Sequence, residues 1–356
     1  MRYLGYYYPR CKGEKLNKIR IALDAGGGDY APHEMVKGAI KAVQEYDIEV
    51  VLVGRKNVIR KLLERAPDDP SIDVVDATEV IDFDEHPVRA LQNKPNSSIV
   101  IGVNLLKKGD VQAFVSAGNT GAVVACSLLT LRKIEGVSRP AIGAFIDILT
   151  ARPGLLIDAG ANADCRAEHL LEFARLGSLY SKHILNIPFP RVGLLSNGVE
   201  EGKGNRLAQE AYDLLKQAKG ISFIGNIEGH DISRKTADVI VCDGFTGNIV
   251  LKTIEGFNDS FLNSMQELGH IFSSVSRLKT RELLKDIGLG AWTKKLDFSE
   301  YGGASLLGVN GAIIIAHGRS KAKAIKNAIN LAKETVERGI IEKIKEEKYE
   351  QTSGSE

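Results

Sequence analysis

The sequence predicts an α/β fold built on a mainly parallel sheet, and three observations carry that reading. Short apolar runs such as "IRIALD", "IEVVLVG" and "PGLLID" alternate along the chain with amphipathic segments of helical period. The runs are nearly continuous in apolar residues, which fits strands covered on both faces. Several of them end in glycine, asparagine and aspartate: "DAGGGD", "SAGNTGA", "DAGANADC", "SNGVEEGKGN" and "CDGFTGN". Such residues turn the chain sharply and leave its backbone open. Parallel strands put their C-terminal ends on one sheet edge, where open α/β sheets bind ligands. The turns are therefore expected to converge into one site.

Taken in order, residues 1–18 carry tyrosines and charges without an apolar run, and read as an extension outside the fold rather than a signal peptide. A strand begins at Ile19 and stops at Asp24. Gly26, Gly27 and Gly28 break it, and Pro32 opens a helix at a position where its missing N–H costs nothing. Residues 48–54 read as a strand and 56–66 as a helix. Segments 110–122, 153–184, 191–219 and 237–256 each repeat the unit of strand, glycine turn and helix.

After Thr246 the pattern changes to a long helical segment, 250–292. There Phe257, Phe261, Met265, Leu268, Phe272 and Val275 fall at steps of three and four and share one face. Arg277, Lys279, Arg281 and Lys285 follow, then Leu289 and Trp292. Residues 300–320 return to glycine-rich loops and an apolar strand, and a last helix covers about 320–338. The expected division is an extension (1–18), one catalytic α/β domain (19–342) that includes the helical segment, and a polar, disordered tail (343–356).

The 356 residues are 44% hydrophobic and 26% charged, which suits a globular chain with a large core. Lys and Arg number 47 against 45 Asp and Glu, a net charge of +2, so a dedicated nucleic-acid binder is not indicated. Cys11, Cys126, Cys165 and Cys242 form no metal-ligand spacing and fit a reduced, cytoplasmic setting. No apolar run is long enough to span a bilayer.

Several motifs bear on chemistry. "GVEEGKG" fails as a P-loop, because its glycines are too close and Gly204 stands where a magnesium-binding hydroxyl belongs. It still sets Lys203 in a glycine-flanked turn ahead of a helix, a setting that suits an anion; a flexible surface turn is the plain alternative. "GGGDYA" satisfies a weak dinucleotide fingerprint, but the acid expected near the second strand's end is replaced by Gly54-Arg55. Asn119, Asn162, Asn205 and Asn248 each neighbour glycines. Singly they are turn formers; together at one edge they would line a polar, uncharged pocket. Cys165 and His169 stand four apart on a helix with no further ligand nearby, and no metal is expected. There is no nucleophile elbow, and Cys126 and Cys242 sit in apolar context. Such an enzyme would bring two substrates together for direct transfer.

The segments "ALDAGGGDYAP", "PVRALQNKPNSS", "SAGNTGA", "DAGANADCRAEHL", "GLLSNGVEEGKGN", "FIGNIEGHDI", "ADVIVCDGFTGN", "SEYGGASLLGVNG" and "AHGRS" jointly resemble the bacterial acyl-ACP:phosphate acyltransferases of phospholipid synthesis. The resemblance runs from about residue 19 to 338. It implies a three-layer α/β/α sandwich similar to isocitrate and isopropylmalate dehydrogenases and phosphotransacetylases. It implies transfer of a long-chain acyl group from acyl carrier protein to inorganic phosphate, no cofactor, a homodimer, and peripheral association with the inner face of the cell membrane. Two departures stand out: Gly26 occupies a position where the family usually has Met, and "QNKPN" is less basic than usual.

On that basis Lys203, Asn248 and Asp243 are the expected catalytic group. Lys203 and the turn of Gly202, Gly204 and Asn205 would hold phosphate. Asn248, with Gly244, Thr246 and Gly247, would orient the carbonyl, while Asp243 braces the loop. Gly27, Asp29, Asn119, Thr120 and Asn162 complete the expected substrate contacts. Phe272, Leu289 and Trp292 mark a dimer or membrane segment. Two rivals have different consequences: an NADP- and metal-dependent decarboxylating dehydrogenase on the same fold, and a non-catalytic carrier-protein-binding scaffold.

Overall fold

The computed structural model describes residues 18–65, 69–146, 153–275 and 301–353. Its strands are β1 (Ile19–Asp24), β2 (Ile48–Gly54), β3 (Ile72–Asp76), β4 (Ala113–Ser116), β5 (Ala141–Ile146), β6 (Gly154–Ile157), β7 (Arg191–Leu195), β8 (Ser222–Ile227), β9 (Val239–Val241), β10 (Ala304–Leu307) and β11 (Ala312–Ile315). They form one sheet in the order β3-β2-β1-β4-β11-β10-β5-β6-β9-β7-β8. The helices are α1 (His33–Glu45), α2 (Lys56–Leu63), α3 (Pro87–Asn93), α4 (Ser98–Lys108), α5 (Thr120–Thr130), α6 (Ala167–Ile184), α7 (Arg206–Gln217), α8 (Asp231–Arg234), α9 (Gly244–Val275), α10 (Ala322–Glu337) and α11 (Ile340–Ser353).

Side chains alternate across each strand, so the sheet has two buried faces. Ile21, Leu23, Val50 and Leu52 point into one core with Met35 of α1, Phe173 of α6, Ala208 of α7 and Ile325 of α10. Ala22, Val51, Val53 and Phe114 point into the other with Ile99 of α4, Val123 of α5 and Ile254 of α9. This is the three-layer sandwich that the sequence implied.

Strand direction is where the structure departs from expectation. β3, β2, β1, β4 and β11 run parallel, and so do β6, β9, β7 and β8. Between the two groups the pairs β11–β10, β10–β5 and β5–β6 are antiparallel. The two parallel groups therefore run in opposite directions. The cause lies in two connections, residues 308–311 and 147–153, each shorter than the dozen or so residues a parallel crossover needs. The loops that follow β1 and β4 leave one sheet edge, and those that follow β6, β7 and β9 leave the other. The expectation of a single converging edge is corrected accordingly.

Two further differences concern the ends of elements. α9 is a continuous helix that starts at Gly244 and ends, as described, at Val275; Leu289 and Trp292 lie outside the described residues. The tail expected to be disordered from residue 343 is helical through Ser353, because Ile340 and Ile344 are fully buried and anchor α11.

Candidate functional site

Open α/β sheets bind ligands where neighbouring strands send their following helices to opposite faces. Two such places lie between β1 and β4 and between β7 and β9. β1 feeds α1 on the first face and β4 feeds α5 on the second. β7 feeds α7 on the first face and β9 feeds α9 on the second. From β1 to β6 there are five strand spacings of about 4.8 Å, roughly 24 Å along the sheet.

The β1/β4 crevice is filled by its own backbone. Asp24 is fully buried and accepts from Gly26 N and Gly27 N at 2.9 Å and from Ser116 Oγ at 2.7 Å. Burial pushes its carboxyl above the ordinary value, and hydrogen bonds from Ser98, Ser116 and the turn oppose that rise. A Cβ on Gly27 would come within 2.8 Å of Gly118 Cα and N, so the two turns lie in direct contact. Beside Gly26, Ser98 Oγ and Val80 Cγ2 fill the space, 2.9 and 3.1 Å from an added Cβ. Lys94 of "QNKPN" gives its ammonium to Glu85 and to Val80 O.

Of the site residues expected here, Asn119 is committed to structure. Asn119 Nδ2 donates to Asp82 O and Phe83 O at 3.0 and 3.2 Å, while its Oδ1 caps α5 through Ala122 N at 3.0 Å. Asp29 donates its N–H to Gly318 O at 2.9 Å and leaves its carboxylate at the surface. Thr120 is exposed at the start of α5.

The β7/β9 crevice is open, with a cavity of about 370 Å³. Leu170, Leu194, Leu195, Leu207 and Ala208 make its walls, and Asn197, Asn205, Asp243 and Thr246 its polar rim. Asn205 Oδ1 caps α7 through Ala208 N at 2.9 Å, and Asn197 Oδ1 accepts from Gly204 N at 2.9 Å. Lys203 donates its N–H to Glu200 O at 3.0 Å and extends its ammonium into solvent. Gly202 O accepts from Gln209 Nε2 at 2.9 Å. Asp243 caps α9: its two oxygens accept from Thr246 N and Thr246 Oγ1, each at 2.8 Å.

Asp158 holds the adjoining wall. Its oxygens accept from Ile142 N, Gly160 N, Ala161 N, Asn162 N and Asn162 Nδ2 at 2.8 to 3.1 Å. Burial raises its carboxyl above the ordinary value against those bonds. Asn162 also donates to Pro140 O at 2.7 Å, so its amide hydrogens are both engaged. Asn248 is exposed with its side chain over Gly160.

The glycines of "CDGFTGN" have a packing role that the sequence reading assigned to a ligand. A Cβ on Gly244 would lie 2.6 Å from Asn162 O, and one on Gly247 would overlap Asp158 O. The close approach is between the α9 turn and the Asp158 loop.

Of the expected residues, Gly204, Asn205, Asp243 and Thr246 line the open crevice, with Gly202 and Lys203 in the same turn as Gly204, while Asn162, Gly244, Gly247 and Asn248 gather around Asp158 and Gly160 on the β6 side of β9. The structure sets Gly27, Asp29, Asn119 and Thr120 at the opposite edge. The sequence reading missed Asp158, Ser196, Asn197 and the leucine walls; the repeated Asp-Ala-Gly of 24–26 and 158–160 was the available signal for the first.

The remaining polar groups are accounted for locally. Cys165 Sγ donates to Asn162 O, and His169 Nδ1 accepts from Arg166 N at 3.1 Å, so neither is free to ligate. Burial pushes the Cys126 and Cys165 thiols to about 11 and holds Cys242 well above the ordinary thiol value, which keeps them protonated. Glu228, His230 and Asp231 cluster after β8, where Asp231 accepts from Glu228 N at 3.0 Å. At the other edge, Arg319 N holds His317 Nδ1, so Nε2 carries the proton and donates to Glu255 at 3.2 Å, beside Lys252.

The architecture defines the class. A phosphotransacetylase from Streptococcus pyogenes shares it with a TM-score of 0.56 at 19% identity, over 90% of this chain and 94% of that one. A 4-hydroxythreonine-4-phosphate dehydrogenase from Klebsiella pneumoniae shares it with a TM-score of 0.53 at 14% identity, over 89% and 99%. Within that class the chain belongs to the fatty acid synthesis protein family, whose model matches residues 19–343. A relative from Dehalococcoides mccartyi, named phosphate acyltransferase, is 54% identical over 92% of this chain and 94% of its own length. One from Dictyoglomus thermophilum, with the same name, is 49% identical over 92% and 97%.

Proposed function

We propose that the chain moves a long-chain fatty acyl group from acyl carrier protein to inorganic phosphate, giving acyl phosphate for phospholipid synthesis. The observation that carries this reading is the open β7/β9 crevice, whose polar rim lies over apolar walls in a chain of the fatty acid synthesis family. A phosphate oxygen attacks the thioester carbonyl carbon. The C–O bond forms, the C–S bond breaks, and the proton of hydrogen phosphate ends on the carrier's sulfur.

Lys203, above the turn of Gly202, Gly204 and Asn205, binds phosphate and offsets its charge. The first turn of α9 presents its positive end to the oxyanion, and Asn248 donates to the same oxygen. Asp243 is a positioning residue, since its oxygens are held by Thr246. Nothing in the scheme requires a cofactor or a covalent enzyme intermediate.

The protein acts as a homodimer at the inner face of the membrane. The exposed Phe245, Ile249 and Phe257 along α9 support a surface in need of cover. No helix among the described residues is long and apolar enough to cross a membrane.

The deciding experiment incubates the protein with acyl-ACP and phosphate and follows acyl phosphate and free carrier by mass spectrometry. Phosphate-dependent product supports the reading, and none from folded protein at any chain length overturns it. A shift of melting temperature on adding NADP would instead favour a dehydrogenase.

A further inference from the structure

The walls of the β7/β9 crevice take no part in holding phosphate. Leu170 of α6, Leu194 and Leu195 of β7, and Leu207 and Ala208 of α7 enclose them, and Asp243 is the one charged residue lining the cavity, held by Thr246. A nucleotide would find no cation there. The amides of a pantetheine arm would find few partners below the rim. A hydrocarbon loses nothing by entering.

We infer that the crevice seats the acyl chain of the donor, methyl end inward, with the thioester carbonyl toward the polar lining residues Asn197, Asn205 and Thr246. This deepens the proposed reaction and rests on it. A cavity of about 370 Å³ holds on the order of a dozen methylenes, if each takes about the ~30 Å³ share of a water molecule. Leu207, partly exposed on α7, is the wall residue best placed to gauge chain length without carrying the fold.

Two measurements test this. Acyl phosphate formation is compared for donors from 10 to 18 carbons with the full chain, Leu207→Trp and Leu207→Ala, each checked for an unchanged melting transition. Leu207→Trp should lower turnover of the longest donors at least tenfold relative to the shortest, and Leu207→Ala should leave or extend the long end. A profile unchanged in folded Leu207→Trp overturns the assignment. Separately, palmitate bearing a terminal diazirine is photo-crosslinked to the protein and the labelled peptides are mapped. Label within 167–184 or 191–217 supports the seat, and label confined elsewhere overturns it. The crosslink needs no turnover. A chain that labels in the crevice yet makes no acyl phosphate from any donor keeps the seat and loses the reaction.

Discussion

Two strands of this sheet, β1 at the closed crevice and β6 beside β9 of the open one, end in the same three residues, Asp-Ala-Gly, and their surroundings finish in opposite states. In each, a buried aspartate gathers the N–H groups of its own turn: Asp24 those of Gly26 and Gly27, Asp158 those of Gly160 and Ala161. What differs is the element that packs on the turn. Over Asp24 it is the Gly118 turn of the neighbouring β4, and the crevice closes. Over Asp158 it is the first turn of α9, through Gly244 and Gly247. That contact lies on the β6 side of β9 and leaves the β7 side open. A braced turn is thus a framework shared by both edges, and the space for a ligand depends on which side of the switch point the next helix settles.

The largest effect should come from removing the brace of the open crevice. Asp158→Ala strands the buried N–H groups of Ile142 and Asn162 and frees the partly covered ones of Gly160 and Ala161. A loss of about 3–5 kcal/mol is expected, the scale for breaking a buried charged network. Urea unfolding measures it. A loss below about 1 kcal/mol would show that the carboxylate is dispensable to the wall.

Paired glycine substitutions break the comparison more sharply. Gly247→Ala forces the α9 turn off Asp158 and should lower kcat/KM at least a hundredfold. Gly27→Ala disturbs the closed crevice, where a Cβ meets Gly118 backbone at 2.8 Å, and should cost stability while the folded fraction keeps most of its activity. If Gly27→Ala folds normally and is inactive, the β1/β4 edge belongs to the site after all, and the edge carrying His317 and Glu255 becomes the place to look.

Most of the fold was legible because strands covered on both faces and helices of mixed face write themselves in apolar runs and periods. Direction was not, although the connections 308–311 and 147–153 are too short for a crossover and held the information. Without it, every strand end falls on one edge and Asn119 joins Asn205. The roles of Gly244 and Gly247 were misread for a related reason. A glycine that admits a ligand and one that admits another loop leave the same letter in the sequence; only the position of Asp158 O distinguishes them. Lys203, Asn205 and Asp243 were found together because their turns follow β7 and β9, which run parallel.

Lys203 gives a smaller and more specific effect. Its ammonium is exposed, so its removal should leave the melting temperature within a degree or two. If it offsets charge on phosphate and the oxyanion, Lys203→Ala should cost roughly 10²–10³ in kcat/KM. Asp29→Ala and Thr120→Ala, on the closed edge, should stay within threefold. Less than a tenfold loss for Lys203→Ala removes it from the chemistry.

The smallest effect is a pH slope that separates the two ends of α6. His169, at its start beside the crevice wall residue Leu170, is held below the ordinary imidazole value of 6.5 by burial first, then by Arg139 and Arg166. His183, in its last turn, is likewise lowered by burial and by Lys343, Lys182 and Arg338. A lowered value in the fold means the unfolded chain takes the proton more readily. Each histidine therefore contributes stability that is complete above pH 6.5 and is lost as pH falls toward its folded value. Urea unfolding from pH 7.5 down to 5 should show stability declining, with His169→Gln and His183→Gln each removing part of the decline. Phosphate bound at the crevice would oppose the arginines around His169 and leave His183 untouched. Saturating phosphate should then flatten the His169 share of the slope alone. Equal flattening of both shares would place the anion elsewhere, and no flattening would set it too far from α6 for Lys203 to be its ligand.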